Sequence, residues 1–359
     1  MDFFLLFQPL LIFLFATLLF YLAVQVPKGC YRLVCGSLHV IFAAVSIQFH
    51  PDIIALYPGI TVPFVIGFTV HTTSILLTGW HVLDSDSNSS LHRFKEISRT
   101  WSNIRHLELG HDAACNSMPR ERLLFAIRRG VVALFSWIIN YVISIIFPQI
   151  LLKIGVRIQD FAPDKQGILL HLTWHDLFLR ALISLHWIWT TYYALNCWHI
   201  IYAIAFVAIF RRDRPSEWPP LFGSLFEAFT LRRFWGIFWH RLHIAPFKDL
   251  TPAFLQKFPV LRAFWIFLLS AACHTLSNWI IYHTNTAKED FWFFSTAYAI
   301  CLVETLSSKA FLATMREIDS GYLMINRVGP FLGYAWVLTF FVYAIGRWQY
   351  PLVYKSLGG

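Results

Sequence analysis

Two histidines stand where imidazole could do chemistry. His240 closes FWGIFWH (Phe234 to His240), in which four aromatic rings precede it; His274 lies in FLLSAACHTLSNWIIYH (Phe267 to His283), behind the small residues Ser270, Ala271, Ala272 and Cys273. Imidazole titrates near neutrality and can take the proton of a hydroxyl, while a second polar group steadies developing negative charge. An ionisable side chain in an apolar helix is costly unless it faces a polar cavity or partner. Spacing alone leaves a plainer account open for each. His240 could end an interfacial helix anchored by Trp235 and Trp239. His274 could be a neutral histidine bonded within the bundle, with Ser277 or Asn278 serving that need. Arg232, Arg233, Arg241 and Lys248 lie beside His240 and could bind anionic groups as forks or point charges, although each taken singly is an ordinary loop cation.

The elements that must hold these residues are membrane helices. Of the 359 residues 57% are hydrophobic and 14% charged, and the mean hydropathy is +0.56, values of a polytopic membrane protein. Apolar runs able to cross a hydrocarbon core appear at Phe3 to Val26, Leu33 to Phe49, Ile60 to Trp80, Val131 to Leu152, Ala181 to Phe210, Leu261 to His283, Phe291 to Leu306 and Val328 to Trp348. These predict an all-α fold of about eight transmembrane helices. The first run has neither a basic n-region nor a small-residue cleavage site and reads as a retained span. The net charge of +9 collects in alternate loops, which reads as topology rather than as a nucleic-acid surface. It puts the segments His81 to Arg129 and Arg211 to Arg262 in the cytosol and both termini in the lumen. On that orientation the sequon at Asn88 stays unglycosylated.

Two connections exceed simple turns, Ser85 to Arg122 and Arg211 to Val260. The second is too aromatic for disorder and is expected to fold against the membrane face. Within it, Thr230 predicts the N-cap of a short helix from Leu231 to Leu242. No repeat or linker divides the chain, so residues 1–359 read as one membrane domain. The six cysteines show no CxxC pair and read as packing residues. HLTWHD sets His171 and His175 a turn apart beside Asp176, but an interfacial helix edge explains it better than a metal does. DSDSN at Asp84 to Asn88 lacks a DDxxD pattern. His71, His186 and His199 are further membrane histidines without an assigned role, and Glu304 is an acidic residue within a span that could face a cavity or bond within the bundle.

WPPLFGSLFEAFTLRRFWGIFWH, then FLLSAACH, then VGPFLGYAWVLTFFVYAIGRWQYP resemble, in order, the wax synthase-like branch of the membrane-bound O-acyltransferases, especially its fungal members. The likeness makes residues 211–359 the motif region, with a cytosolic re-entrant or interfacial loop. It implies that His274 is the base and that His240 is the polar residue closing the FW-x-x-x-W element, where plant members have asparagine. The implied reaction passes an acyl group, in this branch acetyl, from acyl-CoA to a hydroxyl of a hydrophobic acceptor such as a terpenoid, at the endoplasmic reticulum membrane. Trp235, Trp239, Asn278, Arg232, Arg233 and Arg241 are then the substrate-contacting candidates, with no bound cofactor or metal. Wax-ester synthesis is the alternative within the class; membrane terpene cyclisation and transport are alternatives outside it. Transport predicts inverted repeats, which the sequence lacks.

Overall fold

A computed structural model describes residues 3–48, 58–78, 90–107, 118–167, 172–315 and 322–358. The Asn88 sequon, the Asp84 to Asn88 run and His171 lie outside them. Among the described residues the regular elements are helices: α1 (Phe3–Gln25), α2 (Cys30–Gln48), α3 (Pro58–Thr78), α4 (Ser90–Ser102), α5 (Pro119–Lys153), α6 (Trp174–Ile204), α7 (Leu231–Arg233), α8 (Ile244–Asp249), α9 (Ala253–Gln256), α10 (Pro259–Tyr282), α11 (Ala287–Met315), α12 (Tyr322–Trp348) and α13 (Tyr350–Ser356). Short 3-10 and π turns join several of them.

Among the described residues seven stretches are long and apolar enough to cross a bilayer: Gln8–Gln25, Cys30–Gln48, Thr61–Thr78, Pro119–Lys153, Trp174–Ile209, Pro259–Tyr282 and Pro330–Trp348. The eighth expected span, Phe291 to Leu306, is helical within α11 but less apolar, because Glu304 sits in it. The protein is a multi-pass membrane protein. α5 shows the solvent it was built for: Val131, Leu134, Phe135, Trp137, Ile138, Val142 and Ile145 are exposed along it, which only lipid tolerates. The sequence places its start at Val131, yet the helix begins at Pro119, where proline suits the first turn and Glu121 accepts from the Met118 N–H at 3.3 Å. Its 35 residues reach about 52 Å at ~1.5 Å per residue. The arginine-bearing turns from Arg120 to Arg129 therefore extend past the roughly 30 Å of hydrocarbon.

The chain forms two compact units, one of Met1–Leu107 with Leu242–Phe294, the other of Glu108–Arg241 with Ser295–Gly359. In the first, α1 and α2 form a hairpin and α3 packs on α2 and α10. Phe20, Val24, Ile75 and Ile97 make one core; Ile47, Val62 and Ile66 make another, against which Cys273 of α10 packs. Buried His39 ties three helices: Nδ1–H donates to the Ala16 carbonyl at 2.8 Å, and Nε2 meets the Thr72 hydroxyl at 2.6 Å. Each polar atom finds a partner where the bilayer offers none.

In the second unit α6 packs between α5 and α12. Thr173 and Asp176 form a reciprocal capping box at the start of α6, and the Lys165 ammonium meets Asp176 at 2.9 Å. That bond raises the Lys165 pKa above its ordinary value. Asp176 is thus a cap, and His175 lies 3.6 Å from Asp160. The Arg180 side chain is fully buried and donates to the carbonyls of Lys165 at 2.5 Å and Gly167 at 3.2 Å, with its guanidinium 5.7 Å from the centre of the Tyr350 ring. One guanidinium so fastens the 3-10 connection to the start of α13. Arg180→Met leaves those carbonyls bare at a cost of about 1.5–3 kcal/mol per charged hydrogen bond. Thermal unfolding in detergent is expected at least about 5 °C lower, and Arg180→Lys is expected not to restore it, since an ammonium lacks the planar fork.

Candidate active site

Thr230 is an N-cap, its Oγ1 accepting from the Arg233 N–H at 3.1 Å. The helix it starts is shorter than the expected Leu231 to Leu242. α7 ends at Arg233 and runs into a π turn over Phe234–Phe238, closed by the Trp239 N–H donating to the Phe234 carbonyl at 2.7 Å. Trp239 is then extended. His240 therefore follows a broken helix rather than riding on a continuous one, and wide turns of this kind recur at functional sites.

Such a segment exposes backbone polar groups, and each finds an answer. The Glu304 carboxylate accepts from the Leu231 N–H at 2.8 Å and the Arg232 N–H at 2.7 Å, and takes the Trp336 indole N–H at 2.7 Å. With Thr230, it satisfies the first three helical N–H groups. At the other end the Gly223 N–H donates to the Phe238 carbonyl at 2.9 Å. A Cβ at 223 would overlap the Ile237 carbonyl, so only glycine permits that approach. Glu304 is therefore a bundle partner and backbone anchor.

The aromatic residues follow from this frame. Trp239 is buried, stacked on Phe234 at 5.1 Å and on Trp187 at 5.6 Å between centroids. Trp235 meets Trp239 edge-on at 5.8 Å. His240 is half-buried, edge-on to Phe222 at 5.9 Å and beside Trp239 at 5.6 Å. Of the basic residues, Arg233 pairs with the Glu227 carboxylate, donates to the Glu227 carbonyl at 2.9 Å and lies over the Phe229 ring at 4.5 Å. Arg232 and Arg241 are exposed. Among the other histidines of this unit, His186 stacks on Phe147 at 3.8 Å and His199 lies 5.4 Å from the Trp218 ring.

His274 and Asn278 belong to the first unit. The His274 side chain is accessible, 5.1 Å from the Phe294 ring. One turn on, Asn278 is part of a carboxylate cage: fully buried Asp290 receives the Thr286 hydroxyl at 2.6 Å, the Thr275 hydroxyl at 3.1 Å and the Asn278 amide at 3.4 Å, and Asn278 also donates to the Thr286 hydroxyl at 3.0 Å. Asp290 lies close enough to His274 for their charges to interact. The sequence reading passed over Asp290; its signal was a pair of carboxylates, Glu289 and Asp290, in the first turn of the helix after the one bearing His274.

It named His71 without a role, but not the histidine chain that His71 begins. His71 in α3 is fully buried. Its Nε2 lies 3.1 Å from the Thr100 carbonyl, its Nδ1 3.1 Å from His106 Nε2, and His106 Nδ1 lies 3.1 Å from the Asp249 carboxylate. A carbonyl only accepts, so His71 carries its proton on Nε2. In its neutral form His71 then takes the His106 Nε2–H at Nδ1. Burial raises the Asp249 pKa while the Lys248 ammonium opposes it. His106 adopts a left-handed φ of 49°, a strain that surrounding contacts must hold. The N–H of His106 donates to the Asn103 carbonyl at 3.0 Å, and the Asn103 side chain bonds the Leu107 backbone twice. His243, also passed over, stands at the N-cap of α8, near both His71 and His274.

With this geometry established, comparison with known proteins is informative. Residues 218–296, which contain His240, His243, His274 and Asp290, match the model of the membrane bound O-acyl transferase family. Over that stretch, about a fifth of the chain, the sequence resembles that family. The acetyltransferase nanB of Aspergillus nanangensis is 26% identical over 318 residues, 79% of this chain and 73% of that protein. The acetyltransferase atnC of Arthrinium sp is 30% identical over 186 residues, 46% and 40% of the two chains. The acetyltransferase spyB of Aspergillus fumigatus is 24% identical over 160 residues, 39% of this chain and 27% of its own length. The aligned part is thus less than two thirds of two of these three relatives. No solved structure matches.

Two outcomes follow from the site. Glu304→Gln keeps the shape but weakens two charge-assisted bonds to backbone N–H groups, so it is expected to lower stability by about 1–2 kcal/mol, read as the detergent unfolding midpoint, with Glu304→Ala worse. The second concerns pH. Protein atoms crowd His243 although part of its ring is accessible; this loss of water and the nearby His274 imidazole depress its pKa from 6.5 to about 4. Below about 6.5 the unfolded chain gains a proton that the folded chain refuses until about 4. Stability is therefore expected to fall across that window, by at most ~1.4 kcal/mol per pH unit for this group. His243→Gln is expected to flatten that part of the stability curve between pH 7 and 5.

Proposed function

We propose that this O-acyltransferase moves an acyl group, acetyl in the first instance, from acyl-CoA to a hydroxyl of a hydrophobic acceptor, with His274 as the base. The observation that carries the reading is an accessible imidazole in a bilayer-spanning helix beside the caged Asp290 carboxylate, within the stretch that matches the family. The acceptor hydroxyl gives its proton to His274 as its oxygen attacks the thioester carbonyl; CoA thiolate leaves and takes up a proton. Asp290, held by three donors, offsets the positive charge that His274 acquires. His240 is assigned to the developing oxyanion or the acceptor oxygen as a hydrogen-bond donor. The exposed Arg232 and Arg241 are assigned to the phosphates of CoA, Trp235 to the apolar body of the substrate, and Arg233 to holding its own loop through Glu227. The names of the relatives support acetyl as the group transferred, and the fungal likeness supports a terpenoid or polyketide-derived acceptor at the endoplasmic reticulum.

The test is ester formation in microsomes supplied with labelled acetyl-CoA and a panel of sesquiterpene, diterpene and long-chain alcohols. His274→Ala is expected to cut turnover about 100-fold or more, with unchanged expression and unfolding midpoint; full activity in this variant would remove the mechanism. His240→Asn is expected to retain activity that His240→Ala loses. Changing Arg232 and Arg241 together to Gln is expected to raise KM for acetyl-CoA more than KM for the alcohol.

A further inference from the structure

α8 has only six residues, too few to hold a helix by itself, and it is fastened to α3 at both ends. At its C-terminal end Asp249 begins the chain through His106 to His71. At its N-terminal end the His243 ring occupies the place of a side chain at Gly67, where a Cβ would overlap Nε2. Gly67 and His71 are one turn apart, so both anchors use one face of α3. Phe247 stacks on the His243 ring at 5.7 Å and 28°, which leaves the imidazole little freedom. The same stretch of α3 abuts α10, since Val65 and Ile66 share a packed cluster with Cys273, the residue before His274. A glycine inside a helix costs about 1 kcal/mol relative to alanine. Here it makes room for a neutral imidazole next to the proposed base.

We propose that His243, seated in the notch at Gly67, is a positioning residue for His274: it borders the base on the side of α3 and fixes the direction in which that imidazole faces the acceptor hydroxyl. The inference rests on the reading of His274 as the base. The Asp249–His106–His71 chain serves it indirectly by holding α8 in register with α3. Both anchors are local to the first unit, and neither needs to touch substrate.

The experiment is a double-mutant cycle on the full-length protein. Gly67→Ala drives the His243 ring out of its seat, and His243→Ala removes the ring. If the notch serves only that ring, the two changes together are no worse than His243→Ala alone. Each single variant is expected to lower kcat by about 10- to 100-fold, as for a misplaced catalytic group, with KM for acetyl-CoA and for the alcohol unchanged. His243→Gln is expected to recover much of the loss. Carbethoxylation of His274 by diethyl pyrocarbonate, followed on its peptide by mass spectrometry, needs no acceptor; its rate is expected to change by one common factor in both single variants and in the double. Should Gly67→Ala fail to fold, the double variant is expected to fold again, because the clash is gone. Additive losses, or an unchanged rate of His274 modification in all three variants, overturn the inference while leaving an inactive His274→Ala to support the mechanism. A fully active His274→Ala overturns the mechanism and the positioning role with it.

Discussion

The Glu304 carboxylate beneath the first turn of α7 is the interaction on which the motif segment depends. Inside or against a bilayer a broken helix is expensive, because every unpaired N–H and C=O goes without water. The segment from Thr230 to His240 is broken twice, by a three-residue helix and by a π turn. Thr230, Glu304 and Gly223 supply the missing partners from three places in the sequence. With its backbone satisfied, the segment can bury Trp239 and Phe234 as core and leave His240 at its end with a defined outlook. Arg233 contributes through Glu227 and Phe229, so a residue that reads as a free cation in the sequence belongs to the frame.

The first unit solves a related problem by different means. Three of its histidines are given polar partners: His39 bridges α1 and α3, His71 passes to His106 and the Thr100 carbonyl, and His106 reaches Asp249. Polar atoms in such chains fix tautomers and so fix ring orientation. Asp290 is likewise surrounded by Thr275, Thr286 and Asn278, which hold its carboxylate still beside His274. The imidazole proposed as the base thus has firmly held neighbours, the condition under which a proton transfer needs little reorganisation.

The order of elements has a consequence for the motif region. Arg211 to Val260 reads as one long loop, yet its first part, through Arg241, belongs to one compact unit and the remainder, from Leu242, to the other. His240 and His243 are three residues apart and fall on either side of that boundary. The chain thus passes from the aromatic frame to the histidine-rich unit within a single short stretch, and both histidines have their rings set by residues of their own unit: Phe222 and Trp239 for His240, Gly67 and Phe247 for His243.

The sequence by itself determined the class and most helices, because hydropathy over some twenty residues is a local property that the bilayer enforces without help from the rest of the chain. It determined the Thr230 cap, since a cap is visible where it stands, and it singled out His240 and His274 as polar residues in aromatic and apolar runs. Other features depended on residues far apart in the chain. The helix after Thr230 stops at a π turn because Glu304, some seventy positions later, and Gly223 take up its backbone. Asn278 turned from a candidate substrate contact into a donor to Asp290, and Gly67 from an unremarked helix residue into the seat of His243. Periodicity and composition carry no record of which distant groups meet. Only tertiary packing could decide them, because a hydrogen bond of about 3 Å tests the whole path of the chain between its partners.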